Sequence, residues 1–242
     1  MKIRKQICSG IAVSAVLCAL SPVAMAGPPL ICHAIDIGQA KTLPWTSDTW
    51  NLSGKETYDV SHLVDDTLAL LTPTTPALVR METLRRATLY AQKDPLVVKQ
   101  LLFRLRSRAL ESNAKGRPDA YAWFDMGYLV ESYHQANWLF KKAQEERKGW
   151  TREEKSNPAT GIDGYALIEK AIKLRGEDPE MEFAAALITL GGSNYPGHQE
   201  HLQKALDGAN ANPLLARNLS ARFIGAQSST MAEMFKKRQA EN

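Results

Sequence analysis

One pattern recurs three times along this 242-residue chain. Leu84-Arg85-Arg86-Ala87 is followed, seven residues after its alanine, by Asp94-Pro95. At the same distance Ile168-Glu169-Lys170-Ala171 leads to Asp178-Pro179, and Leu202-Gln203-Lys204-Ala205 leads to Asn212-Pro213. An aliphatic residue and an alanine three apart share one face of a helix, and the small alanine lets another helix cross closely. Asp or Asn before proline is an N-cap with a first-turn proline, the start signal of the next helix. Such units fold as successive helices packed on one another. Phe140-Lys141-Lys142-Ala143 carries the first half only, with Trp150-Thr151 where Asp-Pro would stand.

The remaining pattern agrees. From Thr57 the apolar period is helical: Val60, Leu63, Val64, Leu68 and Leu71 lie on one face. Thr72-Pro73-Thr74-Thr75-Pro76 ends that helix, and Thr75 with Pro76 is read as N-cap and first-turn proline of the next. Val97, Val98, Leu101, Leu102 and Leu105 form the face of the helix after Asp94-Pro95. Gly116-Arg117-Pro118-Asp119 separates it from one carrying Trp123, Met126, Gly127, Val130 and Tyr133. Further helices are expected at 136–148, 163–174, 179–190, 198–208, 213–223 and 229–239, with 149–161 as the main loop. No stretch after residue 57 has strand character.

The N-terminal quarter differs. Lys2, Arg4 and Lys5 precede an uncharged, mainly apolar run from Ile7 to Leu20, then Pro22 and Ala24-Met25-Ala26. This is the three-part layout of a cleaved secretory signal, with an apolar run too short for the about 20 residues of a span. The expectation is export to a periplasmic or extracellular compartment with cleavage after Ala26. Loss of Lys2, Arg4 and Lys5 takes the formal charge from +4 to +1, and loss of Cys8 and Cys18 leaves Cys32 as the sole cysteine. Residues 27–57, with Gly27-Pro28-Pro29, Leu43-Pro44-Trp45 and Ser53-Gly54, read as an extended arm. Ile35, Ile37, Trp45 and Trp50 would pin it to a helical domain spanning 58–242. The composition, 44% hydrophobic and 23% charged, excludes collagen-like, low-complexity and disulfide-dense classes, and the charge is too mild for a nucleic-acid binder.

The second and third copies of the repeated unit have alanines 34 residues apart, Ala171 and Ala205. That period, with a proline after the second helix, resembles the tetratricopeptide repeat. Ile168 to Ile188 looks most like it, and Trp123, Met126 and Gly127 match the family's Trp-x-x-Leu-Gly run with methionine for leucine. The resemblance covers roughly residues 77 to 224. It departs at Val130, where the family has tyrosine, in the spacing from Ala87 to Ala171, and in the loop at 149–161. It implies an all-α fold of antiparallel hairpins stacked into a curved array, a concave face for segments of other proteins, and seldom catalysis.

No complete catalytic motif accompanies this pattern, and no cofactor is expected. Cys32-His33 offers a thiol and an imidazole, but a structural zinc needs four protein ligands; the other reading of Cys32 is a small buried hydrophobe. A metal- or redox-active protein using Cys32 and His33 is the alternative function. Glu131-x-x-His134 is half of a di-iron motif without its second half. His198 and His201 have i, i+3 spacing, where a zinc protease uses i, i+4. Arg80 to Arg108 holds eight basic residues against Glu82 and Asp94, a local excess suited to an acidic partner or an anionic envelope surface. With the aromatics around Tyr128, this nominates Arg85, Arg104, Arg108 and Tyr128 as partner contacts of an exported binding or scaffolding module.

Overall fold

The computed structural model describes residues 28–46, 52, 54–146, 157–190 and 197–224. Among these residues all regular structure is helical. A 3-10 turn, Val60–His62, runs into α1 (Leu63–Leu70). It is followed by α2 (Ala77–Ala91), α3 (Pro95–Ala114), α4 (Ala120–Glu146), α5 (Gly164–Arg175), α6 (Pro179–Thr189), α7 (His198–Ala209) and α8 (Pro213–Leu219), which continues as a π-helical turn, Ser220–Ile224. The expected signal at 1–26, Trp50 and the helix at 229–239 lie outside the described residues.

The start signals work as the repeated unit predicts. Asp94 accepts from the Leu96 amide, Asp178 from those of Glu180 and Met181, and Asn212 from that of Leu215, each with proline in the first turn. Asp163 caps α5 the same way. Thr75 does not cap α2. Its hydroxyl donates to the Leu70 carbonyl and accepts from the Thr72 amide, closing the turn between α1 and α2, while extended Pro76 stands at the cap position. The helices expected separately around Trp123 and at 136–148 are one continuous helix, α4, because nothing between them breaks a helix. The copies of the unit open α3, α6 and α8. The first spacing therefore spans three helices and the second two, and the first copy falls on a helix running the opposite way.

Contacts fix those directions. Arg80 meets Asp125 near the starts of α2 and α4, so these helices run together. The Tyr133 hydroxyl of α4 donates to the Val98 carbonyl near the start of α3, and Ser112 near its end accepts from the Asp119 amide, so α3 runs back. Lys170 of α5 sits over Trp123, 3.3 Å from the ring centre, and Arg175 stacks on Tyr121. α5 is therefore antiparallel to α4. His201 of α7 reaches Glu182 of α6, and Gly208 lies against Pro179, so that pair is antiparallel as well. α2 and α6 are the central helices: every residue of α2 but Arg86 is buried, as is α6 from Met181 to Thr189. Ala87, Ala171 and Ala205 are fully buried, as the close-crossing argument requires.

Residues 30–43 join the same apolar core, contributing Leu30, Ile35, Ile37 and Leu43. Leu30 to Cys32 is a turn, with the Ile31 and Cys32 amides donating to the Pro28 carbonyl, where the sequence suggested extension. No helix among the described residues is long and apolar enough to cross a membrane.

Candidate functional site: a charged cradle around residues 30–43

Among the described residues, the densest polar chemistry sits on α2, facing the 30–43 stretch. Glu82 has no access to water and accepts four hydrogen bonds. They come from the Ile35 amide at 2.9 Å, Arg85 Nε and Nη2 at 2.8 Å each, and Arg86 Nε at 2.6 Å. The two guanidiniums then reach across to the same stretch: Arg85 donates to the Ile31 carbonyl at 3.2 Å and Arg86 to that of Leu43 at 2.7 Å. Tyr90 donates to the Pro44 carbonyl, and Thr83 pairs with Thr42. A buried carboxylate is tolerable only with such full pairing. Here it orders both arginines toward main-chain oxygens.

The other wall comes from α8 and the π-helical turn that follows it. Asn218, buried on α8, accepts from the Asp36 amide at 2.9 Å and donates to the Asp36 carbonyl at 2.8 Å. Arg217 pairs with the Asp36 carboxylate at 2.7 Å, which holds that acid below its usual range, and Arg222 donates to the Ala34 carbonyl. From α4, Gln135 accepts from the Leu30 amide. The cradle thus grips residues 30–43 by their main chain, with apolar sockets for Leu30, Ile35 and Ile37. The stretch it holds is irregular and carries an acid, Asp36, between the aliphatic Ile35 and Ile37.

Beside it, Arg80 and Asp125 form an ion pair at 2.6 Å with both side chains fully buried. Arg80 also donates to the Thr75 and Thr72 carbonyls and stacks on Tyr121. Burial pushes Asp125 up to about 6, against the pull of Arg80 and Arg108. A third arrangement links α5, α6 and α7: buried Glu182 pairs with His201 Nδ1, whose Nε2 lies 2.8 Å from the Tyr165 hydroxyl. Burial and the nearby carboxylates lift Tyr165 to about 12, so its phenol stays protonated.

The candidates nominated from sequence scatter. Arg85 presents no guanidinium to solvent, since Glu82 and the Ile31 carbonyl take it inward. Tyr128 is fully buried on α4 against α2, and burial raises its phenol. Arg108 is mostly covered, donating to the Leu71 carbonyl and lying 3.6 Å from Asp125. Only Arg104 is more than half exposed, with Asp65 at 3.8 Å. Cys32 is buried and burial raises its thiol, while His33 beside it is half-buried. His198 faces Thr189 while His201 faces Glu182, so the two rings do not converge. His134 lies 3.7 Å from Glu131 and reaches the Ala159 carbonyl. Among the described residues no three His, Cys, Asp or Glu side chains gather as a metal site would require. A cavity of about 40 Å³ between Pro95, Val98, Tyr133 and Asn157 has room for a water or two.

Sequence reasoning missed Glu82, Asn218, Asp125 and Glu182. Glu82 had one local signal, its i+3 and i+4 arginines, which reads equally as an exposed helix pair. No protein-family model, curated protein or solved structure matches this chain.

Proposed function

We propose that this chain is an exported binding module in which tetratricopeptide-like hairpins are stacked into an array that holds segments of partner proteins. In this reading residues 1–26 direct export and are removed, and 27–57 form an N-terminal arm of which residues 30–43 occupy the array's own binding face. The observation that carries it is the cradle: α2, α4 and α8 hold residues 30–43 through side-chain bonds to the main chain, a mode that tolerates varied sequences and suits peptide capture. Alternation of helix direction from α2 to α5, the antiparallel pair α6 and α7, and the Asp/Asn-Pro openings support the stacking.

The test uses the full chain with Asp36→Arg, which sets two cations against each other at Arg217 and loosens the arm without touching the groove. A fluorescent peptide of the natural residues 28–46 should then bind saturably, and more tightly than it binds the unaltered chain. Absence of binding to either protein, with both folded by circular dichroism, overturns the reading.

A further inference from the structure

The outer face of α3 carries a second surface, independent of the cradle. Leu96, Phe103 and Leu110 are 65%, 66% and 47% exposed, three of the largest apolar exposures among the described residues. They stand seven residues apart. On an α-helix a seven-residue step drifts by only about 20°, so the three side chains form one straight row, about 21 Å long at 1.5 Å per residue. Lys99 and Arg106 fall on one flank of this row and Arg104, with Asp65 of α1 3.8 Å away, on the other, all exposed. Glu111 is the only acid within α3, and Lys115 lies 4.0 Å from it. The inward side of the same helix is committed: Leu101, Leu102 and Leu105 are in the core, and Arg108 turns toward Asp125 and the Leu71 carbonyl.

Exposed side chains of this size in a line mark an interaction surface. The charge around them selects its occupant. A second copy would bring Lys99, Arg104 and Arg106 against their equivalents, so self-association is opposed by like charge. The row is a projecting ridge, and a protein partner would have to offer a matching acidic groove. A lipid surface makes no such demand, because acyl chains close around protruding tips while anionic headgroups meet the flanking cations. We infer that α3 is a membrane-docking ridge: Leu96, Phe103 and Leu110 enter the headgroup–acyl boundary of an anionic leaflet, with Lys99, Arg104 and Arg106 at its phosphates. The helix lies along the surface and does not cross it.

The experiment is co-sedimentation of the full chain with vesicles of phosphatidylcholine alone and of equal parts phosphatidylcholine and phosphatidylglycerol. Binding is expected to the anionic vesicles, to weaken as salt is raised, and to be negligible on the neutral ones. Phe103→Ser with Leu96→Ser, and separately Lys99→Glu with Arg106→Glu, should each lower the partition coefficient by roughly tenfold or more. All four positions are exposed, so melting temperatures should match the unaltered chain. Three outcomes overturn the inference. One is no binding to anionic vesicles; a second is equal binding to both vesicle types. The third is binding that survives both double substitutions, as attachment through the apolar residues 7–20 would. Cross-linking of a Phe103→Cys variant into dimers, without vesicle binding, would assign the ridge to a second copy instead.

Discussion

Glu82 shows how much a single buried charge can organise. It pairs with both Arg85 and Arg86, orders their guanidiniums toward the Ile31 and Leu43 carbonyls, and accepts the Ile35 amide. Glu82→Ala would leave Arg85, itself buried, without its counter-charge, at a cost of about 3–5 kcal/mol. Urea denaturation should show that loss, with proteolysis at residues 28–46 accelerated beyond it. Glu111→Ala, which removes an exposed partner of Lys115, should cost at most about 0.5 kcal/mol. Asp125 makes a different prediction. Its folded-state value of about 6 lies above the ordinary 3.8, so folding favours the protonated carboxyl. The stability this contributes is fully present below about pH 4 and lost as pH rises through about 6, roughly 3 kcal/mol in all. Stability of the unaltered chain minus that of Asp125→Asn should therefore fall between about pH 4 and pH 7. A difference that stays flat across this window and rises with pH only below about pH 4 would mean that Arg80 holds the carboxylate ionised.

Among the elements, α6 and α7 depend on one close approach. A Cβ at Gly208 would lie 2.1 Å from Pro179 Cγ and 2.2 Å from its Cβ. Pro179 is rigid and opens α6, so it cannot yield without moving that helix. Gly208→Ala sets a helix-propensity gain of up to about 1 kcal/mol against overpacking of about 1–3 kcal/mol. The net effect should be lower stability, measured by thermal melting. Asp178→Ala, which leaves the Glu180 and Met181 amides uncapped, should cost about 1 kcal/mol by the same assay. α4 and α5 meet in the same way at Gly127 and Gly164, where a Cβ on either would come within 2.7 Å of the other's carbonyl oxygen. The Asp/Asn-Pro signals and the glycines at crossings thus belong to one device. The caps fix where a helix starts, and the small residues fix how near its neighbour can come.

For the whole molecule, the proposed export predicts that protein recovered from outside the cytoplasm begins at Gly27 by mass spectrometry; an intact N-terminus would refute cleavage after Ala26. Helix existence and most boundaries were legible in the sequence, because capping, proline placement and apolar period act over a few residues. α5, α6 and α7 fall within one or two residues of their expected limits. The candidate site was legible only in part. Arg85 was singled out as a surface cation, yet α2 is covered by α1, α4, α6 and residues 30–43, and its charges face inward. Glu82 lies 47 residues from the Ile35 amide and Asn218 lies 182 from Asp36; no local pattern links such positions. By itself the sequence determined an all-helical body with capped, small-residue crossings. Only the tertiary structure decided which charges are buried and which stretch they hold, because burial depends on what the distant parts of the chain bring to cover each helix.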